Sequence, residues 1–318
     1  GLRRVDELDP DVITLDLEMP RLDGFAFLRI LMRRSPRAVI VVSSLSQRQN
    51  VLRALELGAL DFVAKPDREA SPSLKTIRAE LIGKVMAGAA SHVEQLQQRI
   101  YGSRELPAVD LDAEIAPGKR GLAARPLARG LVVIGTSTGG PSSLRTLLAA
   151  LPSDFSYGIV VALHMPTRFT RAFAERLDRS LELPALEAEA GMRIRAGGVY
   201  LAPGGSHTEV IAGPEGFEIG LRLAAAEDRY VPSVDRLLSS AAEVCGSKVI
   251  GLVLTGMGSD GVLGAQYIRL HGGTVIAEDA STAVVYGMPR ACIGSGAASE
   301  VLPLDRMAAR LVELTSRR

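Results

Sequence analysis

The 318-residue sequence predicts two α/β domains built on mainly parallel sheets, and three observations carry that prediction. Short β-rich runs alternate with stretches of helical period, the signature of βαβ units. Residues 99–128 are a mixture of Pro, Gly, Ala and both charges with no sustained period, which reads as a linker between domains at 1–98 and 129–318. The strongest apolar runs, such as 159–163, have the length of strands, so nothing spans a bilayer.

Composition narrows the function classes. Apolar residues make up 47% of the chain, enough for two packed cores. A net charge of +1 gives no field to attract nucleic acid or an anionic membrane, and 4% aromatics without Trp leave no base-stacking platform. Cys245 and Cys292 stand far apart with no metal-ligand spacing around them. That usage, with no signal peptide, predicts a cytoplasmic protein.

The first domain opens with a strand at 12–15 that ends at Asp16. A turn at Pro20-Arg21-Leu22-Asp23-Gly24 leads to a helical pattern at 25–34, with Phe27, Leu28 and Leu31 on one face. A second strand covers 38–42. Residues 48–57 are helical and stop at Gly58. A third strand, Phe62-Val63-Ala64, ends at Lys65-Pro66, and 74–98 reads as helix.

In the second domain, strand candidates lie at 131–134, 159–163, 198–201, 249–254 and 273–276. The first runs into Gly135-Thr136-Ser137-Thr138-Gly139-Gly140-Pro141 and then a helical pattern. Strand, glycine turn and helix place Ser137 at the carboxyl end of a parallel strand, where open α/β sheets bind ligands. The helix that follows offers free N–H groups to a developing oxyanion. The same turn also suits a phosphate-cradling loop, with Ser137 in place of the middle Gly of G-x-G-x-x-G, or a simple packing turn. His164 and Asp260 favour a hydrolase. His164 directly follows the strand at 159–163, and Asp260 lies in the turn after 249–254. Parallel strands bring their carboxyl ends to one rim, where a serine, a base and an orienting carboxylate can converge. The order Ser…His…Asp differs from that of the α/β-hydrolases. Of the other histidines, His207 reads as loop-bound, His271 as a helix cap and His92 as solvent-facing.

These residues carry a family resemblance. Residues 134–140, Leu163-His164-Met165-Pro166, Leu201-Ala202-Pro203-Gly204, 229–234 and 254–261 together resemble the catalytic domain of the chemotaxis protein-glutamate methylesterases. The resemblance implies a doubly wound catalytic domain with Ser137 as nucleophile, His164 as general base and Asp260 as its orienting carboxylate. It further implies that the Met257 N–H helps form the oxyanion hole and that Thr138 supports His164 or the substrate. The activity implied is hydrolysis of glutamate γ-methyl esters, with deamidation of specific glutamines, on chemoreceptors. Catalysis would need no cofactor.

The first domain similarly resembles a flavodoxin-like response-regulator receiver. Asp16 would accept a phosphoryl group from a chemotaxis histidine kinase, with Ser43 and Phe62 as switch residues and Lys65 binding the phosphate. Mg²⁺ would be held by Asp16 and the backbone carbonyl of Glu18. The paired acidic residues of a receiver's first strand have no counterpart here, so the sequence predicts a receiver lacking that strand, with Mg²⁺ binding in doubt. By the family's architecture, the receiver would restrain the esterase until phosphorylated. The readings that compete with an esterase are a catalytically idle signalling adaptor and a nucleotide-binding protein.

Overall fold

The computed structural model describes residues 1–19, 23–44, 47–65, 74–102 and 121–316. The expected turn residues Pro20, Arg21 and Leu22, the residue Pro66, and 103–120 of the expected linker lie outside them. The chain forms two compact units, Gly1–Leu111 and Asp112–Arg318.

The first unit runs α1 (Leu2–Leu8), β1 (Val12–Leu15), α2 (Gly24–Arg34), β2 (Ala38–Ser43), α3 (Arg48–Glu56), β3 (Asp61–Ala64), α4 (Leu74–Ala89) and α5 (Val93–Gln97). Its strands pair in parallel in the order β1-β2-β3, with Leu15 opposite Val41 and Ser43 opposite Ala64. Two features differ from the sequence reading. The first residues form a helix, with Val5 buried and an Arg3–Glu7 ion pair one turn apart supporting it. The helix expected over 74–98 breaks after Ala89, where Ser91 Oγ bonds back to the Gly88 carbonyl and competes with the helical ladder.

The second unit contains β4 (Leu131–Thr136), α6 (Gly140–Ala149), β5 (Gly158–Leu163), α7 (Phe169–Ser180), β6 (Ala185–Glu187), β7 (Val199–Leu201), β8 (Ser206–Gly213) and β9 (Gly216–Leu223). It continues with α8 (Val234–Cys245), β10 (Val249–Val253), α9 (Val262–Leu270), β11 (Thr274–Glu278), α10 (Met288–Gly294), β12 (Glu300–Leu302) and α11 (Leu304–Ser316). Seven strands form one parallel sheet in the order β12-β11-β10-β4-β5-β7-β6. β4, β5 and β10 are buried along their whole length, which explains their unbroken apolar composition.

This is the expected α/β architecture. The sequence reading missed β6 and β12, which are three-residue edge strands, and the antiparallel hairpin β8–β9. The hairpin's turn is plain in retrospect, because Gly213-Pro214-Glu215-Gly216 closes it with Gly213 opposite Gly216.

Candidate active site

Three neighbouring strands build the site. Thr136, the last residue of β4, pairs with Leu163, the last of β5, so Ser137 and His164 are the next residues on adjacent parallel strands. The ladder continues past both ends: His164 N–H donates to the Thr136 carbonyl at 3.1 Å, and Ser137 N–H donates to the Thr255 carbonyl at 3.0 Å. Adjacent strands lie about 4.8 Å apart, so the two residues share one stretch of the rim. The Ser137 side chain is half-buried and bonded to no described residue.

Asp260 reaches the same place from the turn after β10. Its Oδ2 lies 2.9 Å from His164 Nε2. The same oxygen accepts the Val234 N–H at 2.7 Å, while Oδ1 accepts the Asp235 N–H at 2.9 Å and the Ser233 hydroxyl at 3.2 Å. Burial alone would discourage ionisation of Asp260, but the imidazole and the N–H groups outweigh it and hold its carboxyl below the usual range. An ionised carboxylate is acceptor-only, so His164 Nε2 carries the proton and the basic lone pair sits on Nδ1.

The carboxylates of Asp260 and Asp235 cap each other's helices. Asp260 takes N–H groups from the start of α8, while Asp235, on α8, takes those of Gly261 and Gly264 at 2.8 Å each, from the start of α9. Burial and the neighbouring Asp260 charge push the Asp235 carboxyl up, against the pull of those N–H groups.

The remaining predicted residues fall around this centre. Thr138 is buried, and its carbonyl accepts the Thr255 hydroxyl at 3.0 Å. Met257 is part-exposed, and its N–H has no backbone acceptor among the described residues. Gly256, just before it, lies hard against the serine. A Cβ added there would stand 2.8 Å from Ser137 Cβ, 3.0 Å from Ser137 N and 2.4 Å from Met288 Sδ, so only glycine fits. Gly139, at φ +79°, allows the turn from Ser137 into α6.

Sequence reasoning missed four contributors. Thr255 ties the turns together: its N–H donates to Glu278 Oε2 at 2.8 Å, its carbonyl accepts the Thr136 hydroxyl at 2.8 Å, and its own hydroxyl accepts the Val285 N–H. Glu278, fully buried, is the second. Tyr230 stacks on His164 with ring centroids 4.9 Å apart and planes 6° from parallel. Asp235 is the fourth. Neither Thr255 nor Tyr230 carries a spacing that singles it out, though both lie inside recognised motifs.

His207 is not in a loop but in β8, fully buried. Its Nδ1 accepts the Ser233 N–H at 3.1 Å, and its Nε2 therefore donates to Asp228 Oδ2 at 2.8 Å. It thus braces the segment that holds Asp260. His271 closes α9 as expected, through Nδ1 to the Tyr267 carbonyl at 2.9 Å.

In the first unit, Asp16, Ser43 and Lys65 meet at the carboxyl rim of β1, β2 and β3. Lys65 Nζ donates to Asp16 Oδ2, and the Glu18 N–H to Asp16 Oδ1 at 3.1 Å. Lys65 is the main cause of a lowered Asp16 carboxyl pKa. Ser43 is buried and donates to Gln47 Oε1 at 2.6 Å, and Gln47 Nε2 reaches the Glu18 carboxylate. The Phe62 ring is turned into the core, with Lys84 Nζ 5.1 Å from its centre. Among the described residues, no three His, Cys, Asp or Glu side chains group to hold a metal.

A parallel α/β sheet that gathers a serine, a histidine and a buried carboxylate on its carboxyl rim defines an enzyme of the hydrolase class. The match is closer than class: residues 132–311 fit the CheB methylesterase family and residues 1–72 the response regulator receiver domain. The chain is 45% identical to protein-glutamate methylesterase/protein-glutamine glutaminase 3 of Geobacter sulfurreducens, covering 98% of this chain and 87% of that one. It is 43% identical to the corresponding enzyme 1 of Myxococcus xanthus, over 100% of this chain and 87% of that one. The crystal structure of the Thermotoga maritima CheB methylesterase catalytic domain matches at TM-score 0.57 and 45% identity, covering 58% of this chain and 98% of that one. The chain belongs to the CheB methylesterase family, with a receiver domain ahead of the catalytic one. Among the described residues no helix is long and apolar enough to cross a membrane.

Proposed function

We propose that this chain hydrolyses glutamate γ-methyl esters, and the amides of specific glutamines, on chemoreceptors by a Ser137–His164–Asp260 acyl mechanism. The observation that carries the reading is the 2.9 Å contact from His164 Nε2 to Asp260, one strand from Ser137, in a chain of this family. With Nε2 occupied, Nδ1 is the base. Ser137 Oγ attacks the side-chain carbonyl carbon while Nδ1 takes its proton, and the charge that develops on the carbonyl oxygen is met by the Met257 N–H. Collapse of the tetrahedral intermediate breaks the bond to the leaving group, which takes the proton back from Nδ1 and departs as methanol or ammonia. Water then adds to the acyl-serine by the same route, releasing the glutamate carboxylate and restoring the Ser137 hydroxyl. Asp260 stays ionised and steadies the imidazolium. Thr138 holds the turn on which Ser137 sits.

The receiver supplies control. Asp16 accepts a phosphoryl group from a chemotaxis histidine kinase, Lys65 neutralises it, and Ser43 and Phe62 report it by moving. Mg²⁺ takes oxygen donors, often one or two carboxylates with phosphate and water. Asp16, part-exposed, and the Glu18 carbonyl are the donors here that would hold the ion, which would offset phosphoryl charge, but no three acidic side chains gather among the described residues, so the donor set is incomplete. On this reading the protein acts in the cytoplasm, beside receptor tails.

The deciding experiment is methanol release from methylated chemoreceptor membranes, with Ser137→Ala as control. Release by the wild type that disappears in the variant supports the esterase. Equal release by both removes Ser137 from the mechanism, and release by neither favours an idle adaptor.

A further inference from the structure

We infer that Arg229 is a specificity-determining residue, the cation by which the site selects esters that have a carboxylate close by on the same segment. The inference rests on the esterase reading above and deepens it. Arg229 is exposed, and its guanidinium carbon lies 5.1 Å from the centre of the Tyr230 ring. Tyr230 in turn stacks on His164 at 4.9 Å. The cation is therefore tethered, through one aromatic ring, to the imidazole that does the chemistry.

Its charge is not spent within the protein. No carboxylate among the described residues pairs with Arg229, although Asp228 beside it is engaged twice, by His207 and by Arg236. Arg168 has the same character. It is exposed, pairs with no described carboxylate, and follows His164 by four residues, at the start of α7. Its backbone is left-handed at φ +75°, a conformation uncommon for arginine and often kept at functional positions. Two arginines without acidic partners thus stand on segments bound to His164.

Guanidinium groups bind carboxylates with a two-pronged geometry that lysine cannot copy. A guanidinium stacked on a ring is already oriented, so less freedom is lost when the partner arrives. The reach also fits. Two ring spacings correspond to one to two turns of an α-helix at ~5.4 Å per turn. A carboxylate three to seven positions from the esterified glutamate on a helical substrate would meet Arg229 while the ester lies at Ser137. The preference is for an acidic segment, in which the esterified side chain has lost its own charge and its neighbour has not.

The test uses the full chain and methylated receptor membranes of two kinds, one natural and one with the acidic residues within two turns of the ester changed to glutamine. Wild type, Arg229→Gln and Arg229→Lys are compared for initial rate against receptor concentration, at low and high salt. The expected result is that the wild type loses about tenfold in kcat/KM on the neutralised receptor, mostly in KM. Arg229→Gln should show that loss on the natural receptor and little further loss on the neutralised one, and its salt dependence should flatten. Arg229→Lys should recover only part. If Arg229→Gln discriminates between the two receptors as strongly as the wild type, the inference is overturned while the esterase stands. If the wild type releases methanol from neither receptor, the esterase reading falls and takes this inference with it.

Discussion

The molecule places an aspartate beyond the carboxyl end of a parallel strand in each of its units, and the two could hardly be treated more differently. Asp260 is buried, with all four of its described donors (His164, Ser233, Val234 and Asp235) aimed at its two oxygens. Asp16 leaves 40% of its side chain exposed and accepts from Lys65 and one nearby N–H. A saturated carboxylate is a fixed charge that orients its neighbour. An under-saturated one, with a cation alongside, keeps lone pairs free to attack phosphorus. The same residue in the same topological position is thus suited to a structural or to a chemical task by the number of donors around it.

This contrast can be broken in several ways. If Asp260 orients and does not react, Asp260→Asn must damage the enzyme less than Ser137→Ala. Triads of this kind lose roughly 10⁶-fold in kcat without the nucleophile and about 10⁴-fold when the aspartate is neutralised. Methanol release should rank the two variants in that order, and equal losses would mean that Asp260 takes a direct part. The Asn variant should also be less stable in urea by about 1 kcal/mol or more, because its NH2 group would replace one acceptor oxygen and leave buried donors without a partner.

Asp16→Asn should leave the unstimulated rate near that of the wild type and abolish stimulation by a phosphodonor. Coupling of this kind is typically about 5- to 150-fold. A variant that is still stimulated would move the phosphoryl group elsewhere.

The smallest effect concerns Asp228, whose carboxyl is pulled down to about 2 by the Ala225 N–H, by His207 and by Arg236. A carboxyl lowered on folding, from about 3.9 in the unfolded chain, contributes stability above pH ~4 and loses it as pH falls toward 2. The acid-unfolding curve of Asp228→Asn, followed by circular dichroism, should therefore be flatter than that of the wild type between those values. Parallel curves would show that the His207–Asp228 contact does not contribute.

The parts of the site legible in sequence were those next to a strong strand signal. Ser137 and His164 each directly follow an apolar run that is buried on both faces, and runs of that length, rich in β-branched residues, read as interior strands. Asp260 was found because it sits in the next such turn. Asp235 and Tyr230 were missed for the opposite reason. Asp235 looks like an ordinary first-turn acid of an amphipathic helix, and its partner lies 25 residues away in sequence, on another turn. Tyr230 belongs to an irregular segment whose position depends on His207, a residue the sequence suggested was in a loop. Edge strands of three residues, such as β6 and β12, are too short for any period to register.

The exchange of caps between Asp235 and Asp260 has a consequence for how this enzyme fails when heated. Active sites are often the first parts of a protein to loosen, so that catalysis fades well before the fold melts. Here α8 and α9 cannot separate without pulling the carboxylate off His164, and the carboxylate cannot leave without baring the start of α8, the helix whose Asp235 holds the start of α9. Loss of esterase rate and loss of helical signal from the second unit should follow a single thermal curve.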